Sequence, residues 1–200
     1  MAGPEANGRS ADHDVHQMFL NRWSPRAFTG EPMPEPLLMS LFEAARWAPS
    51  AFNAQPWRFV YAHKGMEDWD RLFDVLIPYN QAWVKHASVL MYVISDRFRR
   101  AEGREPAPVH SHSFDAGAAW ACLALQASHV GWAAHGMAGF DLPRSYEVLG
   151  VPEDQYRVEA AIAVGRPTDA AILDEPYRSR EAPSPRNPVS SFAFEGRFRV

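Results

Sequence analysis

The run ASVLMYVIS, residues 87–95, constrains this chain more than any other segment. It is rich in β-branched and aromatic residues and no polar alternation interrupts it, so it fits a strand buried on both faces. Such a strand needs neighbours to pair with and helices to cover it, and the chain supplies both. YRVEAAIAVG, residues 156–165, predicts a second strand closing at Gly165, and RFVYAH, residues 58–63, a third.

The helical signals lie between them. DVHQMFLNRWS, residues 14–24, predicts a short helix with Val15, Met18 and Phe19 on one face, ended by the turn at Ser24 and Pro25. EPMPEPLLMSLFEAARWAP, residues 31–49, has proline near its first turn, Leu37, Leu38, Leu41, Phe42 and Ala45 at helical spacing, and a stop at Pro49. MEDWDRLFDVL, residues 66–76, predicts a helix. SFDAGAAWACLALQASHVG, residues 113–131, predicts a long one, with Ala and Gly along it so that another backbone can approach. Helices mixed with three or four separated strands give an α+β or mixed-sheet domain. An apolar content of 46% over 200 residues suffices for one full-sized core. A single domain is expected over residues 14–194, after a flexible tail over 1–13.

Two segments do not read as core. Residues 97–113 form a polar, proline-containing insertion between a strand and the long helix. Residues 166–200 hold five prolines and six arginines without clear periodicity, an extended C-terminal segment that is either disordered or laid over another surface.

Composition narrows the function. A net charge of −4 argues against a nucleic-acid surface. Lys64 and Lys85 are the only lysines, so an anion site here is built from planar, bidentate guanidinium groups. With Cys122 as the single cysteine, redox chemistry would need a cofactor to carry the electrons. The N-terminus lacks an apolar signal core and no apolar stretch is long enough to cross a bilayer, which makes a cytoplasmic protein without a membrane partner the simplest reading. His110 and His112 form an H-x-H pair without a third ligand nearby, so no metal site is expected; contact with a substrate from a lid is the better reading of the pair.

Three local patterns carry chemistry. Arg22, Ser24 and Arg26 alternate in NRWSPRAF, where two guanidiniums and a hydroxyl can converge on one anion, or simply answer a helix dipole. Asn53 and Gln55, between Pro49 and Pro56, offer amides that suit the polar edge of a heterocycle, or stabilise a turn. GWAAHGMAGF, residues 131–140, holds three glycines that let a backbone approach a planar ligand. His135 within it is a candidate proton donor, or a turn histidine packed near Trp132.

Taken together, RWSPR, APSAFNAQPWRF, PYNQAWVKHASVLMYVIS, DAGAAWACLALQASHVGW with GMAGFD, AIAVGRP and a late PRNP resemble, in order and spacing, the nitroreductase family of FMN-dependent flavoenzymes. The likeness runs from about Asp14 to about Phe194, and PSxxNxQPW is its most specific piece. It implies an α+β fold with a central mixed or antiparallel sheet flanked by helices, in an intertwined homodimer with FMN at the subunit interface. Carried over by position, Arg22, Ser24 and Arg186 would hold the FMN phosphate, with Trp23 beside them. Arg26 would lie by the ribityl chain and the pyrimidine end, which Asn80 also reaches. Pro49, Ser50, Ala51, Asn53 and Gln55 would come from the partner subunit to the isoalloxazine ring. Met137, Ala138 and Gly139 would line its reactive edge, with a backbone N–H toward N5. The small residues at 116–127 would let helices pack at the dimer seam.

The chain departs from relatives at two positions. Trp83 stands where some have lysine, and Ser184 where a second basic residue precedes Arg186, so the site is less positive unless Arg166 compensates. Neither a G-x-G-x-x-G fingerprint nor a P-loop occurs, so NADH or NADPH would stack directly on the flavin. The resemblance then implies ping-pong hydride transfer from NAD(P)H through flavin N5 to a small electron-poor acceptor such as a nitroaromatic or a quinone. A dehalogenase or dehydrogenase of the same fold, or a dimer that stores or senses FMN without catalysis, are the alternatives.

Overall fold

A computed structural model describes residues 5–100 and 102–199; the part of the expected tail at residues 1–4 lies outside them. In chain order the elements are β1 (Glu5–Ala6), β2 (Arg9–Ser10), α1 (Met18–Asn21), α2 (Glu35–Arg46), β3 (Trp57–His63), α3 (Asp68–Phe73), α4 (Pro78–Val84), β4 (Val89–Asp96), β5 (Phe98–Arg99), β6 (Ala107–Pro108), α5 (His112–His129), β7 (Ala133–Met137), α6 (Leu142–Leu149), β8 (Tyr156–Gly165) and α7 (Glu175–Arg178). Four strands form one antiparallel sheet in the order β3-β4-β8-β7. The fold is α+β with an antiparallel sheet.

The apolar run at 87–95 is the inner strand β4, and all eight of its residues are buried. Its side chains alternate as a strand requires. Val89, Met91 and Val93 enter a core with Leu38, Leu41 and Ala45 of α2 and Leu123 of α5. Leu90, Tyr92 and Ile94 enter the opposite core with Trp69, Leu72, Trp83 and Tyr146. Each fully buried Leu or Met contributes about 1.5–3 kcal/mol, so covering both faces is what makes the strand stable.

Several expectations are corrected. The first helix is one turn, Met18–Asn21; Leu20 is its buried residue, while Phe19 is 52% exposed. Residues 133–137, expected as a glycine-rich turn, are the edge strand β7, whose Gly136 lies against Trp120, so that a Cβ there would stand 3.0 Å from the indole ring. The small residues of α5 act within the chain: Ala116, Ala119, Ala124 and Ala127 are buried against α2 and the sheet, and only Gly117 and Ala121 remain on the outer face. Within the polar insertion at 97–113 the short strands β5 and β6 pair. Helices α4 and α6 were not anticipated, although Pro78 opens the first, and Asp141, which accepts the Arg144 N–H at 3.0 Å, caps the second.

The two termini meet. Asn7 and Gly8 both have positive φ, 53° and 68°, and make the two-residue turn of a hairpin that joins β1 to β2, where a flexible tail was expected. The C-terminal segment crosses its own chain: Pro167 bridges Phe28, Thr168 N–H donates to Ala27 O at 3.0 Å, and Leu173 and Tyr177 are buried. Gly165 is needed at this crossing, since a Cβ there would lie 2.6 Å from the ring of Phe28. This packing holds the Arg22–Arg26 turn against the sheet.

Candidate functional site

A cavity of about 270 Å³ opens where the turn after α1, the hairpin and the C-terminal segment come together. Arg22, Trp23, Ser24, Arg26 and Arg186, all expected at one site, line it together with His135. Arg9 and Arg180, which sequence reasoning missed, line it too. Arg166 does not compensate there; it pairs with Glu31 at 3.0 Å, outside the lining. Proline supplies the turn that exposes these groups, because the residue before Pro25 is held extended and the helix stops.

The cavity is strongly and locally positive. Arg22 donates to Ser24 Oγ at 3.3 Å, and Arg186 to Ser184 Oγ at 3.1 Å. Among the described residues Arg9, Arg22, Arg180 and Arg186 form no ion pair with a carboxylate. Burial, and then the charge of Arg186, push the Arg22 guanidinium below its usual pKa. Like charges held together in a partly dry cleft raise the energy of the empty site, and an anion relieves it.

Arg26 is treated differently. Its Nη1 lies 3.8 Å from Glu181 Oε2, and its guanidinium stands 6.0 Å from the Trp83 ring centre. Glu181 Oε1 accepts the backbone N–H groups of Arg26 and Ala27 at 2.6 and 2.8 Å, and this side chain is 3% exposed. Glu181 thus pins the turn from the C-terminal segment. Trp83, the departure from a lysine, is buried between Arg26 and His135, whose ring centre is 4.6 Å from its own.

His135 stands on β7 and packs on Trp83 rather than in a turn near Trp132. Its Nδ1 lies 2.9 Å from Pro25 O; a carbonyl only accepts, so Nδ1 carries the proton. Burial, with a smaller push from Arg26, lowers its pKa to about 4 against the opposing hydrogen bond to Pro25, and the ring is neutral near pH 7. Between about 4 and 6.5 the unfolded chain binds a proton that the folded chain does not, so this histidine adds stability above that window and loses it as pH falls through it. Wild-type protein should lose roughly 2–3 kcal/mol more than His135→Asn, which keeps a donor to Pro25, between neutral pH and pH 4. Urea melts across that range check it, and parallel curves would refute it.

A second group of residues adjoins the first through α4 and β7. Asn80, buried on the helix that carries Trp83, donates through Nδ2 to Gly139 O at 2.8 Å. A Cβ on Gly139 would lie 2.5 Å from that nitrogen, so glycine is required for the approach. Met137 ends β7, and Ala138 and Gly139 follow it.

The loop of Pro49, Ser50, Ala51, Asn53 and Gln55 does not join these groups within the chain. Asp115, buried at the start of α5, accepts the Ala51 N–H at 3.1 Å, and Ser50 Oγ accepts that of Gln55 at 3.0 Å. Phe52, Asn53 and Gln55 have φ of 53°, 53° and 48°, a left-handed conformation that costs about 1–2 kcal/mol per non-glycine residue. The amides point outward: Gln55 Nε2 reaches only Asn53 O at 3.3 Å. Around the loop Trp47, Phe52 and Phe114 are 72%, 86% and 82% exposed.

His112 opens α5, with Nδ1 2.8 Å from Ser95 Oγ and 3.8 Å from Glu159, while His110 is exposed on the insertion. Among the described residues no three His, Cys, Asp or Glu side chains are arranged to hold a metal ion, and no helix is long and apolar enough to cross a membrane.

Comparison with known proteins gives four findings. Residues 20–166 match the Nitroreductase family. A crystal structure of an oxidoreductase containing FMN is 49% identical, with a TM-score of 0.94 over 98% of each chain. The NADH dehydrogenase of Thermus thermophilus is 27% identical, covering 86% of this chain and 94% of its own length. An uncharacterised 15.4 kDa protein of Mycolicibacterium smegmatis is 36% identical over 62% of this chain and 80% of its own.

Proposed function

The chain belongs to the nitroreductase family, and from that membership we propose that it is an FMN-dependent oxidoreductase. It takes two electrons from NADH or NADPH and gives them to a small, flat, electron-poor acceptor such as a nitroaromatic or a quinone. The observation that carries this reading is the arginine cavity: four guanidiniums without a carboxylate partner, beside a serine hydroxyl, fit a phosphate dianion. The relative containing FMN and the relative named as an NADH dehydrogenase support the choice of cofactor and donor.

Bound FMN supplies the two-electron chemistry. The chain supplies binding and orientation. Arg22, Ser24 and Arg186 hold the phosphate. Arg26, kept in place by Glu181, would present positive charge toward the ribityl and pyrimidine end, where it would favour the reduced cofactor. Ala138 and Gly139, the latter bonded to Asn80, would line the ring edge. His135 stays neutral and orders the turn.

The site is completed by a second copy of the chain. The outward amides of Asn53 and Gln55, the strained backbone that presents them and the exposed Trp47, Phe52 and Phe114 beside them support a homodimer in which each loop reaches the neighbour's ring.

An absorbance spectrum of the purified protein, repeated anaerobically after NADPH and then NADH, tests the reading. The expected result is flavin bands that bleach with one of the two donors. Bands that persist with both would favour the dimer that stores or senses flavin, and a protein that takes up no FMN would end the assignment.

A further inference from the structure

The arginine cavity has a wall that belongs to neither the Arg22–Arg26 turn nor the late PRNP segment. Arg9 comes from β2, at the far end of the chain from Ser184, and joins the two. Its Nε donates to Ser184 O at 2.9 Å, and its Nη1 donates to both Leu20 O and Arg22 O at 2.9 Å. A guanidinium has five N–H donors in one plane, so these three bonds fix its orientation fully. The two N–H groups on Nη2 have no acceptor among the described residues, and Arg9 lines the cavity.

The hairpin holds the side chain there. Its Asn7–Gly8 turn has the positive φ angles of a tight hairpin, Asn7 Nδ2 donates to Asn21 O at 3.0 Å, and Asp12 accepts the Val189 N–H at 2.9 Å. Burial, and then the repelling charges of Arg186 and Arg22, lower the pKa of Arg9. A cation held by three carbonyls against two other cations serves an anion better than it serves the fold. It also stands at Ser184, where the second basic residue of the late segment is missing.

We propose that Arg9 is a phosphate-binding residue of this chain, and that the hairpin carrying it is the clasp that closes the C-terminal segment over the anion. This rests on the FMN reading. The ligand chemistry is a phosphate monoester: Nη2 offers two charged N–H donors that the chain leaves unused, and Arg22 and Arg186 supply the remaining charge. The clasp also explains why a C-terminal segment whose regular structure over residues 183–199 is one 3-10 turn at Val189–Ser191, and which is exposed over most of that range, meets the turn at a defined place.

Titrating FMN and riboflavin into wild type, R9Q and R9K by flavin fluorescence separates the outcomes, since the two ligands differ only in the phosphate. Hydrogen exchange at residues 184–189 follows the clasp. In R9Q the FMN Kd should rise about 10- to 100-fold while riboflavin stays within about twofold. In R9K, which keeps the charge without the planar fork, FMN binding should fall between the two, with the same loss of exchange protection as in R9Q. FMN affinity unchanged in R9Q, or FMN and riboflavin weakened equally in both variants, overturns the assignment while leaving the FMN reading intact. A wild-type protein that binds neither flavin removes both.

Discussion

Glu181→Ala should destabilise the protein by about 3–5 kcal/mol, more than any substitution in the cavity lining. The carboxylate accepts two backbone N–H groups, those of Arg26 and Ala27, and the side chain is 3% exposed. Truncation strands both donors: water has little access to the site, and Ala27 is fully buried. Each buried donor left without an acceptor costs about 1–3 kcal/mol, and Arg26 loses its counter-ion as well. Glu181→Gln retains an oxygen acceptor and should cost less than half as much. Urea melts of the two variants check the difference; an alanine variant within about 1 kcal/mol of wild type would show that the pin is not formed in solution. The Arg22–Arg26 turn is tied to the sheet side by Thr168 and Thr29, so the alanine variant should fold and bind FMN weakly rather than fail outright.

The second large effect separates binding from stability. Arg22→Ala combined with Arg186→Ala should raise the FMN Kd by about 100- to 10,000-fold, the loss of two charge-assisted contacts. The apoprotein of the double variant should be as stable as wild-type apoprotein or more so, because the substitutions remove mutual repulsion between two arginines that have no carboxylate partner among the described residues. Isothermal titration with FMN and thermal melts of the apoprotein give the two numbers. Weakened binding together with an equal loss of apoprotein stability would mean that the arginines support the fold, and the anion site would have to lie elsewhere.

These expectations differ in how far the sequence alone leads to them. Arg22, Ser24 and Arg26 are adjacent in sequence, and the alternation that brings them to one cavity is a local property of an extended turn before proline. Glu181 and Arg9 carry no local signal of that kind. A carboxylate in a proline- and arginine-rich tail reads as a solvated charge, and an arginine in an N-terminal tail likewise, until the chain path brings both to the same turn. The Asn7–Gly8 pair was the one visible clue to the hairpin.

The secondary structure divides in the same way. Strand β4 and the long helices were legible because their apolar spacing is set by how a segment meets a core, and that requirement acts residue by residue. Strand β7 was not, because AAHGM has neither β-branched residues nor alternation. It is extended because β8 offers it a free edge and Trp120 needs the gap at Gly136. Small residues on α5 were assigned to a contact between subunits when most of them serve α2 and the sheet, since sequence records that a close approach is needed but not what approaches.

The sequence by itself determined the buried strand, the long helices α2 and α5 that cover one face of it, the family and the turn that carries Arg22, Ser24 and Arg26, all of them encoded in short windows where polarity and backbone preference act directly. Only the tertiary structure decided that the anion cavity has five arginines, that one of them comes from the N-terminal hairpin, and that a buried glutamate from the tail fixes the turn. Charge acts through space. Residues 9, 22 and 186 repel one another because folding sets them side by side, and no pattern along the chain measures that distance.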